Sequence, residues 1–312
     1  MLRNALLALT LAALLAPAGA LHAEGPAPAG KAAAKPAKAG AASGPHFLWT
    51  VKGKEGGELT LLGSVHLGDP SLYPLPAAME KRFEAAEVVA VEADVDGVDP
   101  ATTQSLLLSE GMLTDGSSLS DHLPPETYSA VTQSAAKAGM TMLALDRMKP
   151  WLAAVTLMGV VLQKAGITGK YGVERYFLKK ARGEKPIVEL EGVLAQLKLF
   201  ASFDEKEQAA FLSYTLEDLS LLTEETQKLL AAWKAGDLAY MVKLLDEIRE
   251  GEDTRAIYDV LFLHRNERMT EKLDGYLKSG KRHFVIVGAA HLVGDDGLPS
   301  MMKKRGHTVT RH

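Results

Sequence analysis

Not one cysteine occurs in the chain. That absence removes disulfides, thiolate-held zinc, iron–sulfur clusters and cysteine nucleophiles together. Basic residues are not in excess either, since 35 Lys and Arg face 39 Asp and Glu, a net charge of −4. A nucleic-acid partner is excluded on that balance, because displacing counterions from phosphate needs a concentrated basic face. The longest apolar run, Ala5 to Leu15, lies at the N-terminus and is too short for a bilayer span, and nothing after it is longer. Two common hydrolase signatures are also missing. There is no Gly-x-Ser-x-Gly elbow and no His-Glu-x-x-His helix, so serine hydrolases and zincins find no support.

What is present begins with an export signal. Arg3 precedes the Ala5–Leu15 run, and small residues then offer cleavage after Ala20 or Ala23. Residues 1–23 therefore read as a Sec-type signal peptide, which places the mature chain in the periplasm or outside the cell, with no stable membrane insertion once the signal is cut. No Cys near the cut means no lipid anchor of the bacterial lipoprotein kind is expected. Residues 24–45 are almost wholly Ala, Pro, Gly and Lys, a composition that cannot build a core and reads as a disordered linker. Setting aside Arg3, Lys31, Lys35, Lys38 and Glu24 leaves the remainder near −7.

One domain is expected over 46–312. Phe47–Val51 and Leu59–Leu62 flank a Gly-rich turn and predict a hairpin. Leu75, Met79 and Phe83 recur at helical spacing, and Val88–Val91 reads as a short buried strand ending at Glu92. Helices are predicted at 100–110, 124–138 and 151–165, with a short strand at Ala144–Asp146. Tyr171–Glu174 opens another helix, and Pro186–Glu191 reads as a strand. From 192 to 278 the pattern is almost wholly helical, with Gly236 as a left-handed C-cap and Asp237 as the next N-cap. Arg255–Lys278 reads as one long helix, in which His264 aligns with Ile257 and Leu261 and is expected to be at least half-buried. Sheet returns at His283–Val287, followed by a helix near Leu298 and a strand near Thr308. The fold class is therefore α/β, a central sheet built from both chain ends, flanked by helices, with a large helical insertion at about 192–278.

The chain says nearly the same thing twice. Leu59-Thr-Leu-Leu-Gly63-Ser-Val-His66-Leu-Gly68-Asp69 is matched by Phe284-Val-Ile-Val-Gly288-Ala-Ala-His291-Leu-Val-Gly294-Asp295. Each is an apolar strand, then Gly-x-x-His, then Leu and a Gly-Asp turn. A neutral imidazole at such a strand end is a good ligand for a borderline metal ion. Glu92, ending a neighbouring strand, is the natural third member, and two histidines with a carboxylate and an open position form a common catalytic arrangement. Glu191 is the carboxylate placed to act as general base. Arg265 can clamp a substrate carboxylate or hold Glu92. A metal-free acid–base pair of His and Glu fits the same residues. Trp49, Trp151 and Trp233 read as core.

These segments resemble the TraB/PrgY/GumN family over His46 to Arg311. Gly63-Ser-Val-His66 with Tyr73-Pro-Leu-Pro76 and Val89-Ala-Val-Glu92 matches the family's opening, and Gly288-Ala-Ala-His291-Leu-Val-Gly294 its close. Tyr171-Gly-Val-Glu174 is similar to its Gly-hydrophobic-Asp helix start, with Glu for the usual Asp. Glu189-Leu-Glu191 and Arg265-Asn266 match two further elements. The resemblance implies a fold similar to the erythromycin-esterase/ChaN group. Through the related Tiki proteases it implies a metal-dependent peptidase acting on a peptide or protein. His66, His291 and Glu92 would hold a divalent ion, with manganese or cobalt favoured and zinc the alternative. Tyr171, Glu174 and Asn266 are secondary site candidates on the same footing. Relatives tied to peptide pheromones, polysaccharide genes or haem imply the alternative, a non-catalytic protein that sequesters a peptide or haem-like ligand. The Leu- and Met-rich helices leave an oligomeric surface open.

Overall fold

The computed structural model describes residues 45–312 except 95, 218, 252 and 253. The signal peptide and all but the last residue of the linker lie outside the described residues. The hairpin forms as expected: β1 (Leu48–Lys52) pairs antiparallel with β2 (Glu58–Ser64), Leu48 opposite Leu62. Then come β3 (Val88–Val91), β4 (Ile187–Glu189), β5 (Arg282–Gly288) and β6 (Thr308–Arg311). They make one six-stranded sheet in the order β4-β3-β5-β2-β1-β6. Parallel ladders join β2 to β5, β5 to β3 and β3 to β4, while β6 runs antiparallel to β1. The two chain ends thus close on each other, down to the His46 N–H donating to the His312 carbonyl at 2.6 Å. β3 is wholly buried, and β5 is buried after Arg282. Continuous burial is what a strand covered on both faces requires, and explains why these runs do not alternate.

Helices supply that cover. They are α1 (Ala77–Ala85), α2 (Pro100–Gly111), α3 (Pro125–Lys137), α4 (Pro150–Lys164), α5 (Val173–Ala181), α6 (Val193–Ala201), α7 (Glu205–Glu217), α8 (Leu222–Ala235), α9 (Leu238–Arg249), α10 (His264–Lys278) and α11 (Leu298–Lys304). The α8–α9 junction is as read from the sequence. Gly236 has φ +68° after the last turn of α8, and the Asp237 carboxylate accepts from the Tyr240 N–H at 3.0 Å. Trp49, Trp151 and Trp233 are core residues, and the Trp233 indole donates to the Gly63 carbonyl at 2.8 Å. Among the described residues no helix is long and apolar enough to cross a membrane.

Two local expectations are corrected. Ala144–Asp146 is not a strand but part of a single helical turn, Met142–Leu145, closed by the Asp146 N–H on the Met142 carbonyl at 2.8 Å. A short apolar run carries no period by itself, and here the local turn won. His264 is exposed, not half-buried. Residues 255–278 are helical throughout, but Asp259–Leu263 form a π-turn in which the His264 N–H reaches back to the Asp259 carbonyl. One extra residue in that turn rotates everything after it by about 100°. His264 leaves the face defined by Ile257 and Leu261, and Arg265 and Asn266 turn inward, 4% and 2% exposed.

Gly57 shows how tightly the hairpin turn sits on α10. A Cβ there would overlap the Leu277 backbone carbonyl, which as backbone cannot swing away. Gly57→Ala is expected to cost about 1–3 kcal/mol, read as a lowered urea midpoint. Gly275→Ala, on the same helix with nothing within 4 Å of the added carbon, is expected to stabilise by about 0.5–1 kcal/mol. Equal midpoints for the two variants would refute the packing account.

Candidate functional site

Parallel pairing sets the site. Ser64 is opposite Gly288, Val91 opposite Ile286, and Val91 again opposite Glu189. All four parallel strands therefore end at one edge, and the residues just beyond them are His66, Glu92, Glu191 and His291. This is the edge at which open α/β sheets bind ligands. His66, Glu92 and His291 are 6%, 6% and 0% exposed.

Gly288 is the point at which three of them meet. A Cβ built there would lie 3.3 Å from His66 Nε2, 3.5 Å from Glu92 Oε1 and 3.6 Å from His291 Cδ2. Glycine leaves that space open. Its N–H also donates to Glu92 Oε1 at 2.6 Å.

Each imidazole is held by its other nitrogen. His291 Nδ1 lies 2.6 Å from Asn266 Oδ1, while Asn266 Nδ2 donates to the Asp296 carbonyl at 2.7 Å. The second bond orients the amide, so Nδ1 carries the proton and Nε2 keeps its lone pair. That Nε2 is buried, has no hydrogen-bond partner among the described residues, and lies 3.8 Å from Glu92 Oε1. Burial, reinforced by the nearby Arg265 charge, pushes the His291 imidazole down to about 4, so it is neutral at pH 7. His66 Nδ1 is ion-paired with Glu174, which also accepts from the Ser64 hydroxyl at 3.0 Å. Burial pulls the His66 imidazole down, but the Glu174 carboxylate, aided by Glu92, outweighs it and holds the group above its ordinary value.

Arg265 ties the acids together. Its Nη2 binds Glu92 Oε2, its Nε lies 3.0 and 3.1 Å from the Glu191 oxygens, and its Nη1 donates to the Leu261 carbonyl at 3.1 Å. Burial alone would raise the Glu92 carboxyl. Arg265, the two imidazoles and the Gly288 N–H reverse that and hold it down to about 2. The guanidinium is in turn held above its usual value, its burial outweighed by Glu92 and Glu191.

The structure thus brings together His66, Glu92, Glu174, Glu191, Arg265, Asn266 and His291. It does not bring Tyr171 to them. Tyr171 lies on the outer side of the turn before α5, where its carbonyl accepts from the Tyr73 hydroxyl at 3.1 Å. Two members carry no sequence signal. Gln196, four residues after the turn at Gly192, donates to Glu92 at 3.0 Å and Glu191 at 3.2 Å. Ser64 is hidden inside the first Gly-x-x-His.

Among the described residues, no group of three or more His, Asp or Glu side chains is arranged so that it could hold a metal ion as it stands. Two observations at the same place nonetheless bear on a cation. Glu92, Glu174 and Glu191 oppose a single guanidinium, an excess of two negative charges; a proton on His66 answers one of them, and a divalent cation would answer both. The orphaned His291 Nε2, His66 Nε2 and Glu92 Oε1 converge where Gly288 leaves room.

Asn266→Ala is expected to cost about 1–3 kcal/mol by leaving His291 Nδ1 buried without an acceptor. It should also change the tautomer. ¹⁵N NMR should show the proton on Nδ1 in the wild type and shared with Nε2 in the variant. A proton that stays on Nδ1 in both would mean that Asn266 does not set the tautomer.

An α/β sheet closed by both chain ends, with a buried histidine–carboxylate centre at its carboxyl edge, defines the class of this protein. The chain belongs to the TraB/PrgY/gumN family, which it matches over residues 47–311. It is 27% identical over 266 residues to Uncharacterized protein YbaP of Escherichia coli (strain K12), covering 83% of this chain and 94% of that one. The Shigella flexneri protein of the same name matches with the same figures. No solved structure matches.

Proposed function

We propose that this protein is an exported, metal-dependent hydrolase whose substrate is a peptide or protein. The observation that carries the reading is the buried lone pair of His291 Nε2. It is oriented by Asn266, has no hydrogen-bond partner among the described residues, and faces Glu92 across the space left by Gly288. An imidazole fixed in this way is a ligand waiting for a Lewis acid.

His66 Nε2, His291 Nε2 and Glu92 would hold the ion. When bound it would supply an acidified water and polarise the scissile carbonyl. Glu174 would keep the Nδ1–H of His66, and the proton it favours on Nε2 would have to leave before that lone pair could meet an ion. Glu92 is ionised at any working pH. Its Oε2 is occupied by Arg265 and Gln196, which leaves Oε1, also held by the Gly288 N–H, as the oxygen that would meet the ion. Glu191 stood out in the sequence as a general base. With both oxygens on Arg265, we assign it instead to holding the guanidinium that aims Glu92.

The test is elemental analysis of the untagged protein before and after adding manganese, cobalt or zinc, beside a peptide-library cleavage assay. The expected result is about one ion per chain, cleavage that stops with chelator, and loss of both in His66→Ala/His291→Ala. A folded wild type that takes up no ion from any of the three solutions would sink the metal mechanism. Uptake of the ion with tight peptide binding but no turnover would point to sequestration.

A further inference from the structure

A second recess lies outside the buried centre, a cleft of about 600 Å³ along the outer face of α5. Four cations line it: Lys170, Arg175, Lys179 and Arg182. Three tyrosines, Tyr73, Tyr171 and Tyr176, form its apolar wall, and Asp96 is the single acid among its lining residues. A chain with net charge −4 has here gathered positive charge in one concave place.

The fold does not need that charge. The buried face of α5 is Val173, Glu174, Phe177, Leu178 and Ala181. Arg175, Lys179 and Arg182 fall at i, i+4 and i+7 on another face, a spacing that brings like charges together and weakens a helix unless something answers them. Two of the four are answered within the chain. Arg175 pairs with Asp96 and Arg182 with Asp94, each at 2.8 Å. Those pairs hold the two guanidinium groups in place. Lys170 and Lys179 have no acidic partner among the described residues, and Lys170 Nζ instead lies 5.4 Å from the centre of the Tyr171 ring.

The tyrosine wall is fixed in advance. The Tyr73 hydroxyl donates to the Tyr171 carbonyl at 3.1 Å, and the Tyr73 and Tyr176 rings lie 5.4 Å apart. The cleft is also joined to the buried centre by backbone. A Cβ on Gly172 would stand 2.5 Å from the His66 carbonyl oxygen, and the Val173 N–H donates to the Val65 carbonyl at 3.1 Å. Consecutive residues then face opposite ways, Glu174 inward to His66 and Arg175 outward into the cleft. A chain lying in the cleft is therefore held alongside the strand end that carries His66.

The geometry points to a substrate subsite that takes an acidic stretch of polypeptide, its carboxylates meeting Lys170 and Lys179 and its apolar portions lying on the tyrosines. The identity of the ligand as a peptide rests on the hydrolase reading above; the preference for carboxylates rests on the cleft alone. Complementary charge of this kind sets selectivity and association rate, and weakens with salt.

The test is fluorescence anisotropy with the full-length protein and a labelled Glu/Ser peptide, in chelator so that cleavage cannot occur. A Lys/Ser peptide and an oligogalacturonate serve as rivals. The wild type is expected to bind the Glu/Ser peptide at least about tenfold more tightly than Lys170→Glu/Lys179→Glu. Binding should fall with salt and survive in His66→Ala/His291→Ala. Equal binding of the two peptides, or no effect of charge reversal, would overturn the subsite. Tighter binding of the oligogalacturonate would overturn its assignment to peptide. Failure of the hydrolase reading is visible separately, as intact peptide after incubation of the wild type with metal while the charge preference persists.

Discussion

Arg265→Met should lower stability by about 3–5 kcal/mol at pH 7, because it strands two buried carboxylates without their counter-ion. Nearly every donor of this side chain is spent inside the protein, on Glu92, Glu191 and the Leu261 carbonyl. Methionine fills the volume and answers none of them. The pH dependence gives the cause away. With Arg265 present, Glu92 is held down to about 2, well below the ordinary carboxylate value. A depressed carboxylate contributes stability that is present above its unfolded value and is lost as pH falls toward the folded one. Without Arg265, burial, which pushes Glu92 upward, loses its strongest opponent. The folded value then rises, so acid destabilises Glu92 less in the variant than in the wild type. His291 adds to the contrast in the same direction. Its folded value of about 4, set by burial and then by Arg265, costs the wild type stability as pH falls from 6.5 to 4, and the variant loses less. The gap between the two urea midpoints should therefore narrow steadily from pH 7 to pH 4. A gap that stays constant would mean the loss comes from packing, not from charge.

The parts of this site that were legible in the sequence are the local ones. Gly63-Ser-Val-His66 and Gly288-Ala-Ala-His291 each announce a strand, a turn and a histidine within a few residues, and the β2–β5 pairing then sets them side by side. Glu92 follows from the same reasoning about strand ends. What stayed hidden depends on contacts between distant residues or on a single irregular turn. The π-turn at Asp259–Leu263 leaves no mark in a hydrophobic period of 3.6, yet it decides that His264 faces solvent and that Arg265 and Asn266 face the site. The sequence leaves Arg265 either to clamp a substrate carboxylate or to hold Glu92, and its contact with Glu92, reached through the π-turn, selects the second. Gln196 and Ser64 are uncharged, and their roles come from partners elsewhere in the chain. The cleft on α5 pairs Tyr73 with residues about one hundred positions further on, so no local pattern reveals it. The strand expected at Ala144–Asp146 does not form for the opposite reason, since the four apolar residues Met142–Leu145 fit a strand and a helical turn equally well.

Glu92 and Glu191 share one arginine, and the largest functional effect expected is that replacing them will not be equivalent. On the hydrolase proposal, Glu92→Gln should reduce peptide cleavage by about 10³-fold or more, about 4 kcal/mol of barrier, whereas Glu191→Gln should cost about tenfold or less. The difference lies in the second oxygen. Both oxygens of Glu191 are engaged by Arg265, with Gln196 as a further donor, so its carboxylate reaches the centre through Arg265 and Gln196. Glu92 gives one oxygen to Arg265 and Gln196 and turns the other toward Gly288, His291 and the open space between the histidines. In Glu92→Gln the amide must choose. With its nitrogen toward Arg265, two donors oppose each other. With its nitrogen toward Gly288, it opposes the backbone N–H and presents a donor to the centre. Either way the negative oxygen beside His291 Nε2 is gone. Single-turnover cleavage of a peptide by the two variants, each checked for folding by circular dichroism, measures the split. Similar losses in both would show that what matters is the neutralised arginine, and that Glu92 acts on the reaction only by holding Arg265 in place.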